Sequence, residues 1–282
     1  MDRQKCTLCG LCIPTCPSDM VRLRGDHVRI SWVACIECGH CIAICPTDAI
    51  APADGGGVES RPVAPVPSPE SLGDLIRRRR TVRRYRPDPV PREVVESILD
   101  AARWVPTAAN CQAQEYVVLA TAAARDGLRA RIEAYYREFA EALADRENRV
   151  ARFEAMGLDP AAATHPHVLA AVPAFVKSVD SGRDRLFFEA PAVIVVHAAR
   201  DAVMPGAACA FATLSIVLMA ESYGLGTCIT GFASDALRNR PEIRESLGIP
   251  GGNDVHYVVA LGRPDEDFAK VPSRGPTKAQ WL

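Results

Sequence analysis

The chain has 282 residues, 48% of them hydrophobic, with 33 basic against 34 acidic side chains for a net charge of −1. That length and apolar content can hold a small module and still build a second domain with a sizeable core. Charge also balances over residues 1–50, five basic against five acidic, so no global field favours nucleic acid or a membrane surface as a partner.

The N-terminus runs from Met1 to Lys5 straight into Cys6 with no apolar signal region. The expected location is therefore the cytoplasm, where thiols stay reduced. Cys6, Cys9, Cys12 and Cys16, followed by Pro17, recur at an offset of 29 residues as Cys35, Cys38, Cys41 and Cys45, followed by Pro46. In C-x2-C-x2-C-x3-C-P, three closely spaced thiolates grip one [4Fe-4S] cubane, and the fourth, turned away at its proline, reaches the cluster of the other repeat. The expected ligand sets interleave: Cys6, Cys9, Cys12 and Cys45 for cluster 1, and Cys35, Cys38, Cys41 and Cys16 for cluster 2. A zinc knuckle has no use for the third cysteine or the proline-marked fourth. Residues 1–50 resemble a two-cluster bacterial ferredoxin. Cys111, Cys209 and Cys228 stand in apolar surroundings and read as small buried hydrophobes.

Residues 51–69 carry three consecutive glycines and then Pro62, Pro65, Pro67 and Pro69, the composition of a linker ahead of a domain at 70–282. Ser68 and Pro69 form a helix cap with proline at the first helical position. After Pro91, Val94, Val95, Ile98, Leu99 and Ala102 fall on one helical face. Tyr116–Ala120, Pro191–His197 and Val255–Leu261 are β-rich runs with helical stretches between them, which predicts α+β layers. Residues 122–156, with Leu128, Ile132, Tyr135, Phe139 and Leu143, predict a long helix or helical pair acting as cover or interface. Ala207–Ala220 is apolar nearly all round and falls short of the roughly 20 residues of a spanning helix. A helix buried on all sides, with a second subunit covering the face its own domain leaves bare, is the expectation.

Residues 77–86 hold seven arginines around Thr81 and Tyr85. A helix C-terminus favours cations, and nucleic-acid binding would need a further basic stripe or stacking platform. Arginine forks beside a hydroxyl capture phosphate. Three further segments are Pro106–Gln112, Gly224–Phe232, and Ala260–Pro264 with Pro272–Arg274 behind it. Together with Arg79–Tyr85, their order and spacing resemble the FMN-binding nitroreductase family over residues 70–282.

The resemblance implies a nitroreductase-type α+β sandwich, its central mostly antiparallel sheet flanked by helices, and a homodimer with FMN at the subunit interface. It implies that Arg79, Arg80, Thr81 and Arg83 hold the phosphate and the ribityl chain or ring edge, with Arg274 closing on the phosphate from the C-terminal side. Thr107, Ala108 and Asn110 would come from the other subunit, with Gln112 assisting. Thr230 and Gly231 would present backbone N–H groups to flavin N5 and O4, where charge develops on reduction. Two departures are visible. Ala113-Gln114-Glu115 stands where the family has a proline and an aromatic residue, and Thr230 stands where nitro-reducing members are often acidic.

The two halves together predict an iron–sulfur flavoprotein oxidoreductase. An external donor feeds two [4Fe-4S] clusters, the clusters feed FMN, and FMN reduces a small acceptor of the nitroaromatic, quinone or activated-alkene class. The cofactors carry the chemistry, so no protein nucleophile or acid–base pair is needed, and the six histidines form no constellation. Reduced ferredoxin is the expected donor, because a fused cluster module is redundant for direct hydride transfer. An NAD(P)H-dependent nitroreductase-type enzyme, and an electron-relay flavoprotein without its own small substrate, are the alternatives.

Overall fold

A computed structural model describes residues 1–52 and 64–282, so most of the segment read as a linker lies outside the described residues. The chain divides into two compact units, one of Met1–Pro67 with Thr107–Cys111, the other of Ser68–Pro106 with Gln112–Leu282.

In the first unit the cysteine repeat becomes a backbone repeat. Leu8, Gly10 and Asp19 have φ of 57°, 76° and 52°, and their counterparts Glu37, Gly39 and Asp48 have 53°, 73° and 50°. The Ile13 N–H donates to Gly10 O and Cys16 N–H to Ile13 O; Ile42 to Gly39 and Cys45 to Ile42 repeat the pair. Left-handed residues reverse the local winding, so each loop curls around a centre instead of continuing as a helix. Between the loops, β1 (Val21–Arg24) and β2 (His27–Ile30) form an antiparallel hairpin, and α1 (His40–Ala43) is a single turn in the second repeat. Val21, Val28, Ile50 and Cys12 are the buried core, with Cys6, Cys16 and Cys41 packed against it.

The second unit runs α2 (Pro69–Arg78), α3 (Arg92–Ala102), β3 (Gln114–Leu119), α4 (Ala122–Ala144), α5 (Arg149–Ala155), α6 (Pro166–Asp180), β4 (Ala192–Ala199), α7 (Pro205–Ser222), β5 (Gly226–Ile229), α8 (Gly231–Asn239), α9 (Pro241–Glu245) and β6 (Asn253–Gly262). Ser68 caps α2, its hydroxyl accepting the Ser71 N–H with Pro69 in the first turn. The strands pair antiparallel in the order β3-β4-β6-β5, which is the α+β sheet expected from the sequence. β5 was not among the expected strands.

Side-chain alternation along β4 divides the interior in two. Val193 and Val195 enter one core with Ile132, Tyr136 and Phe139 of α4. Ala192, Ile194 and Val196 enter the other with Ile98 of α3 and Cys209 and Ile216 of α7. β6 changes sides at a bulge: Val196 pairs with Tyr257 but His197 with Val255, leaving His256 as the extra residue. Val255 therefore faces the first core, while Tyr257, Val259 and Leu261 face the second, the re-aiming a bulge produces.

Leu128, Ile132, Tyr135, Phe139 and Leu143 are all buried, so α4 serves as cover for the sheet. Cys209 and Cys228 are buried as expected, whereas Cys111 is only half-buried. α7 is buried on one face only: Ala208, Ala212, Ile216 and Ala220 pack inward, but Phe211 and Leu214 are 47% and 54% exposed. Among the described residues it is the one helix long and apolar enough to cross a membrane by length and composition.

Two glycines bring the arginine segment onto the sheet. A Cβ on Gly226 would stand 2.4 Å from Cγ2 of Val82, and one on Gly262 would stand 2.4 Å from Cδ of Pro191 and 3.0 Å from Tyr85. Gly226→Ala is expected to destabilise the second unit by about 1–3 kcal/mol through overpacking. Adding Val82→Ala should return part of the loss, and thermal unfolding of the two variants followed by circular dichroism measures both effects.

Candidate functional site

The first constellation is made of sulfur. Cys6, Cys9, Cys12 and Cys45 line one pocket, with Val28 and Ile50 also in its wall. Three of these cysteines belong to the first repeat and one to the second, so the chain brings together the interleaved set read from the spacing. In the other set, burial raises the Cys41 thiol and the nearby Cys38 and Cys16 add to the effect, which places these three as neighbours. Cys35 accepts the Glu37 N–H at 3.4 Å in the same loop.

The repeat extends to the sulfur's hydrogen bonds. Met20 N–H reaches Cys16 Sγ at 3.3 Å, and Ala49 N–H reaches Cys45 Sγ at 3.3 Å, each four residues along. His40 Nδ1 lies 3.0 Å from Cys38 Sγ. Burial raises the Cys12 thiol, with Cys45, Cys9 and Cys6 contributing. Burial acts the same way on Cys45, but the Thr47 and Ala49 hydrogen bonds outweigh it and lower that thiol. Backbone N–H groups aimed at sulfur stabilise the thiolate, the form that binds iron. Among the described residues no three Cys, His, Asp or Glu side chains converge tightly enough for a single metal ion. A cavity walled by four thiols with N–H donors behind them fits a cubane cluster.

The second constellation lies in the other unit. α2 stops at Arg79, whose ψ of 128° turns the chain extended. Thr81 then forms a parallel bridge with Thr227 of β5, and Val82 N–H donates to Thr227 O at 3.0 Å. Further on, Arg86 N–H donates to Arg263 O and Asp265 N–H to Arg84 O, both at 2.9 Å. Tyr85, its phenol pushed up by burial, ties this segment by donating to Val82 O at 2.8 Å.

The seven arginines separate by partner. Arg77 pairs with Asp74, Arg78 with Glu221 and Arg84 with Asp265. The guanidiniums of Arg79, Arg80, Arg83 and Arg86 have no carboxylate partner among the described residues, although the Arg83 backbone N–H reaches Glu266 Oε1 at 3.5 Å, and Arg79 and Arg80 are half-buried. Arg80 Nη1 donates to Arg79 O at 2.6 Å, and Arg83 lies over the Phe188 ring at 5.8 Å. Half-buried, unpaired guanidiniums beside a threonine are a fit for a phosphate dianion.

Thr230 follows β5 at the N-cap position of α8 without a side-chain capping bond, and it corrects one expectation. Its N–H already donates to Val258 O at 2.8 Å, because the β5–β6 ladder continues one residue beyond the strand. What remains is its hydroxyl, 6% exposed as a residue, with Oγ1 buried and unpartnered. Gly231 follows at the first position of α8, where an N–H has no intrahelical acceptor, and open space surrounds its Cα where a side chain would project. An orphaned buried oxygen and a bare helix start are a fit for a polar ring edge.

The remaining expected residues fall elsewhere. Arg274 is exposed in the irregular segment after β6. Gln112 has φ of 45° and belongs to the second unit, while Thr107, Ala108 and Asn110 belong to the first. Asn110 holds φ of 53°, and its Nδ2 donates to Ile36 O at 3.1 Å and Glu37 O at 3.0 Å. Its amide is thus committed to the loop between Cys35 and Cys38, a contact the sequence did not announce. The departure at Ala113-Gln114-Glu115 also finds a use, since Glu115 accepts from Asn253 Nδ2, which lies 3.0 Å from both Glu115 Oε1 and His197 Nδ1. Burial lowers the His197 pKa, with Glu115 opposing it.

Comparison with known proteins agrees with both halves. The model of the nitroreductase family matches residues 76–263, and that of a 4Fe-4S dicluster domain matches residues 1–46. A chloronitrobenzene nitroreductase of Comamonas testosteroni is 29% identical over 221 residues, covering 72% of this chain and 91% of its own. A 4-nitrobenzoate reductase of a Nocardioides species is 28% identical, covering 73% and 85%. Among solved structures, an FMN-bound nitroreductase of Desulfitobacterium hafniense superposes with a TM-score of 0.54 at 22% identity, covering 76% of this chain and 99% of its own. An FMN-dependent nitroreductase of Mycobacterium smegmatis in complex with NADPH gives 0.51 at 21%, covering 75% and 98%. With two thirds of its length under one family model and the cysteine repeats under the other, the chain belongs to the nitroreductase family and carries a 4Fe-4S dicluster domain at its N-terminus.

Proposed function

We propose that this chain is an iron–sulfur flavoprotein oxidoreductase in which an external donor supplies two [4Fe-4S] clusters, FMN receives the electrons, and a small acceptor is reduced. The observation that carries the reading is one chain holding both the four-thiol pocket of Cys6, Cys9, Cys12 and Cys45 and the half-buried Arg79 and Arg80, without carboxylate partners among the described residues, on the stretch that Thr81 joins to β5, the strand that leads into the bare start of α8. Cys35, Cys38, Cys41 and Cys16 hold the second cluster. Arg79, Arg80 and Arg83 with Thr81 hold the FMN phosphate, and Arg274 closes on it. The Thr230 hydroxyl and the Gly231 N–H bond to the ring edge, with Thr107, Ala108, Asn110 and Gln112 contributing as the family resemblance implies.

FMN, when bound, converts one-electron supply into two-electron reduction. The protein's part is to bind, orient and keep the N–H and hydroxyl donors at the edge where negative charge grows. The names of the chloronitrobenzene and 4-nitrobenzoate relatives favour a nitroaromatic acceptor. The NADPH complex of the Mycobacterium smegmatis structure, and a Thermus thermophilus relative named NADH dehydrogenase, favour the second reading, direct reduction by NAD(P)H. A cytoplasmic location suits thiols that must stay reduced to bind iron. The exposed apolar face of α7, with Phe211 and Leu214, is the surface a second copy covers in a homodimer.

Anaerobic purification should give about eight iron and eight sulfide per chain, the content of two cubanes, together with flavin. Cys45→Ser should lower iron and sulfide to roughly half of that, and colourless wild-type protein without sulfide would sink the reading. Arg79→Ala is expected to weaken FMN binding by roughly 10- to 150-fold, the loss of one charge-assisted hydrogen bond of about 1.5–3 kcal/mol, as read by flavin fluorescence. Phe211→Asp with Leu214→Asp should convert the dimer to monomer in sedimentation velocity.

A further inference from the structure

We infer that the outer face of the β1–β2 hairpin is a docking surface for an acidic electron-donor protein, an inference that rests on the cysteine repeats holding clusters. Strand alternation sends Val21, Val28 and Ile30 inward and leaves Arg22, Arg24, His27 and Arg29 outward. Arg22 stands directly opposite Arg29, and Arg24 opposite His27. Like charges directly opposite oppose sheet formation, so the hairpin would be better stabilised by an acid or a threonine at either place. Nothing in its folding asks for this pair.

The arginines are also uncompensated. None of Arg22, Arg24 and Arg29 has a carboxylate partner among the described residues. Asp26 is directed to His27, at 3.1 Å. Arg22 Nε is fixed by the backbone carbonyl of Asp19 at 3.0 Å, which holds the guanidinium in place without neutralising it. Although residues 1–50 are balanced at five basic against five acidic, three of the five basic side chains are gathered on this one face.

These side chains border an open cleft lined by Asp19, Met20, Arg22, Arg24, Arg29 and Ser31. A cleft this open, with exposed arginines spaced along two strands, suits the broad acidic surface of a protein better than the tight cradle a small anion needs. Its wall leads directly to sulfur. Met20, in the cleft, gives its N–H to Cys16 Sγ at 3.3 Å, and Cys16 is the outlying ligand of the second set. The cleft that would seat the donor thus shares a lining residue with the hydrogen-bond shell of Cys16. The step is a transfer of one electron: the donor's centre is oxidised by one and a cluster is reduced by one, with no bond made or broken and no proton moved.

The test uses the holoenzyme with a purified acidic bacterial ferredoxin. Calorimetric titration with the oxidised ferredoxin should show binding that weakens as salt rises. In anaerobic rapid mixing, Arg22→Glu with Arg29→Glu should lower the second-order rate of reduction by reduced ferredoxin about tenfold or more and flatten its salt dependence. Arg29→Gln should give an intermediate effect. Reduction by photoreduced deazariboflavin, a small neutral donor, should stay within about twofold, and matched iron and sulfide contents establish that the variants are folded. Unchanged ferredoxin rate and salt dependence in loaded variants would overturn the inference alone. NADPH competing with ferredoxin at the arginines would reassign the cleft to a nucleotide and overturn it as well. Wild-type protein without clusters would remove the inference together with the reading beneath it.

Discussion

The candidate flavin site depends on the methyl groups of Val82 occupying the space a side chain on Gly226 would fill. That contact lets the extended stretch after α2 lie against β5, where Thr81 bridges Thr227 and the Val82 N–H finds an acceptor. β5 then delivers Thr230 and Gly231 only a few residues further on. Two sets of groups from chain positions about 150 residues apart are thereby fixed to one short strand. Gly262 repeats the device on β6 by making room for Tyr85 and Pro191. Close-packed interiors transmit such constraints with little give, so the register of the arginines follows from missing side chains on their neighbours.

The first unit solves a different problem. Its two loops present the same backbone groups at equivalent places, and the N–H donors to Cys16 and Cys45 are copies of one another. Hydrogen bonds to sulfur are among the means by which a protein sets a cluster's potential. The copies are not identical around them. Cys45 also has the Thr47 hydroxyl at 3.7 Å, while His40 approaches Cys38. The two cysteine loops therefore have related geometry and different polar surroundings.

Much of this was legible in the sequence, for reasons that differ by feature. The cysteine spacing is a metal-ligand code in itself, and Ser68-Pro69 states a helix start through local chemistry. Val94, Val95, Ile98 and Ala102 reveal a face by periodicity. β5 escaped because four residues are too few to show alternation, and its existence rests on pairing with β6. The bulge at His256 was equally hidden, since nothing in Val255–Leu261 indicates where the ladder slips. The family resemblance gives the Thr230 N–H to the flavin, and only the ladder shows that Val258 takes it. The double hydrogen bond from Asn110 to the Ile36 and Glu37 carbonyls joins positions more than 70 residues apart, beyond the reach of local pattern. The exposed side of α7 lay outside single-chain reasoning for the opposite reason: composition made it uniformly apolar, and only the packing of one side distinguishes Phe211 and Leu214.

The interior of the first unit has one further consequence. Its buried core comprises Val21, Val28, Ile50 and Cys12, with three other cysteines completing the shell. Modules of this size rarely hold together on apolar burial alone. Under the proposed ligand assignment, the cysteines that share in this small core would also hold the metal, so assembling the inorganic part and acquiring a stable shape would be the same event. A newly made chain that meets no iron has little to condense around at its front end, and a cell short of that metal would hold this protein with its N-terminal module unfinished.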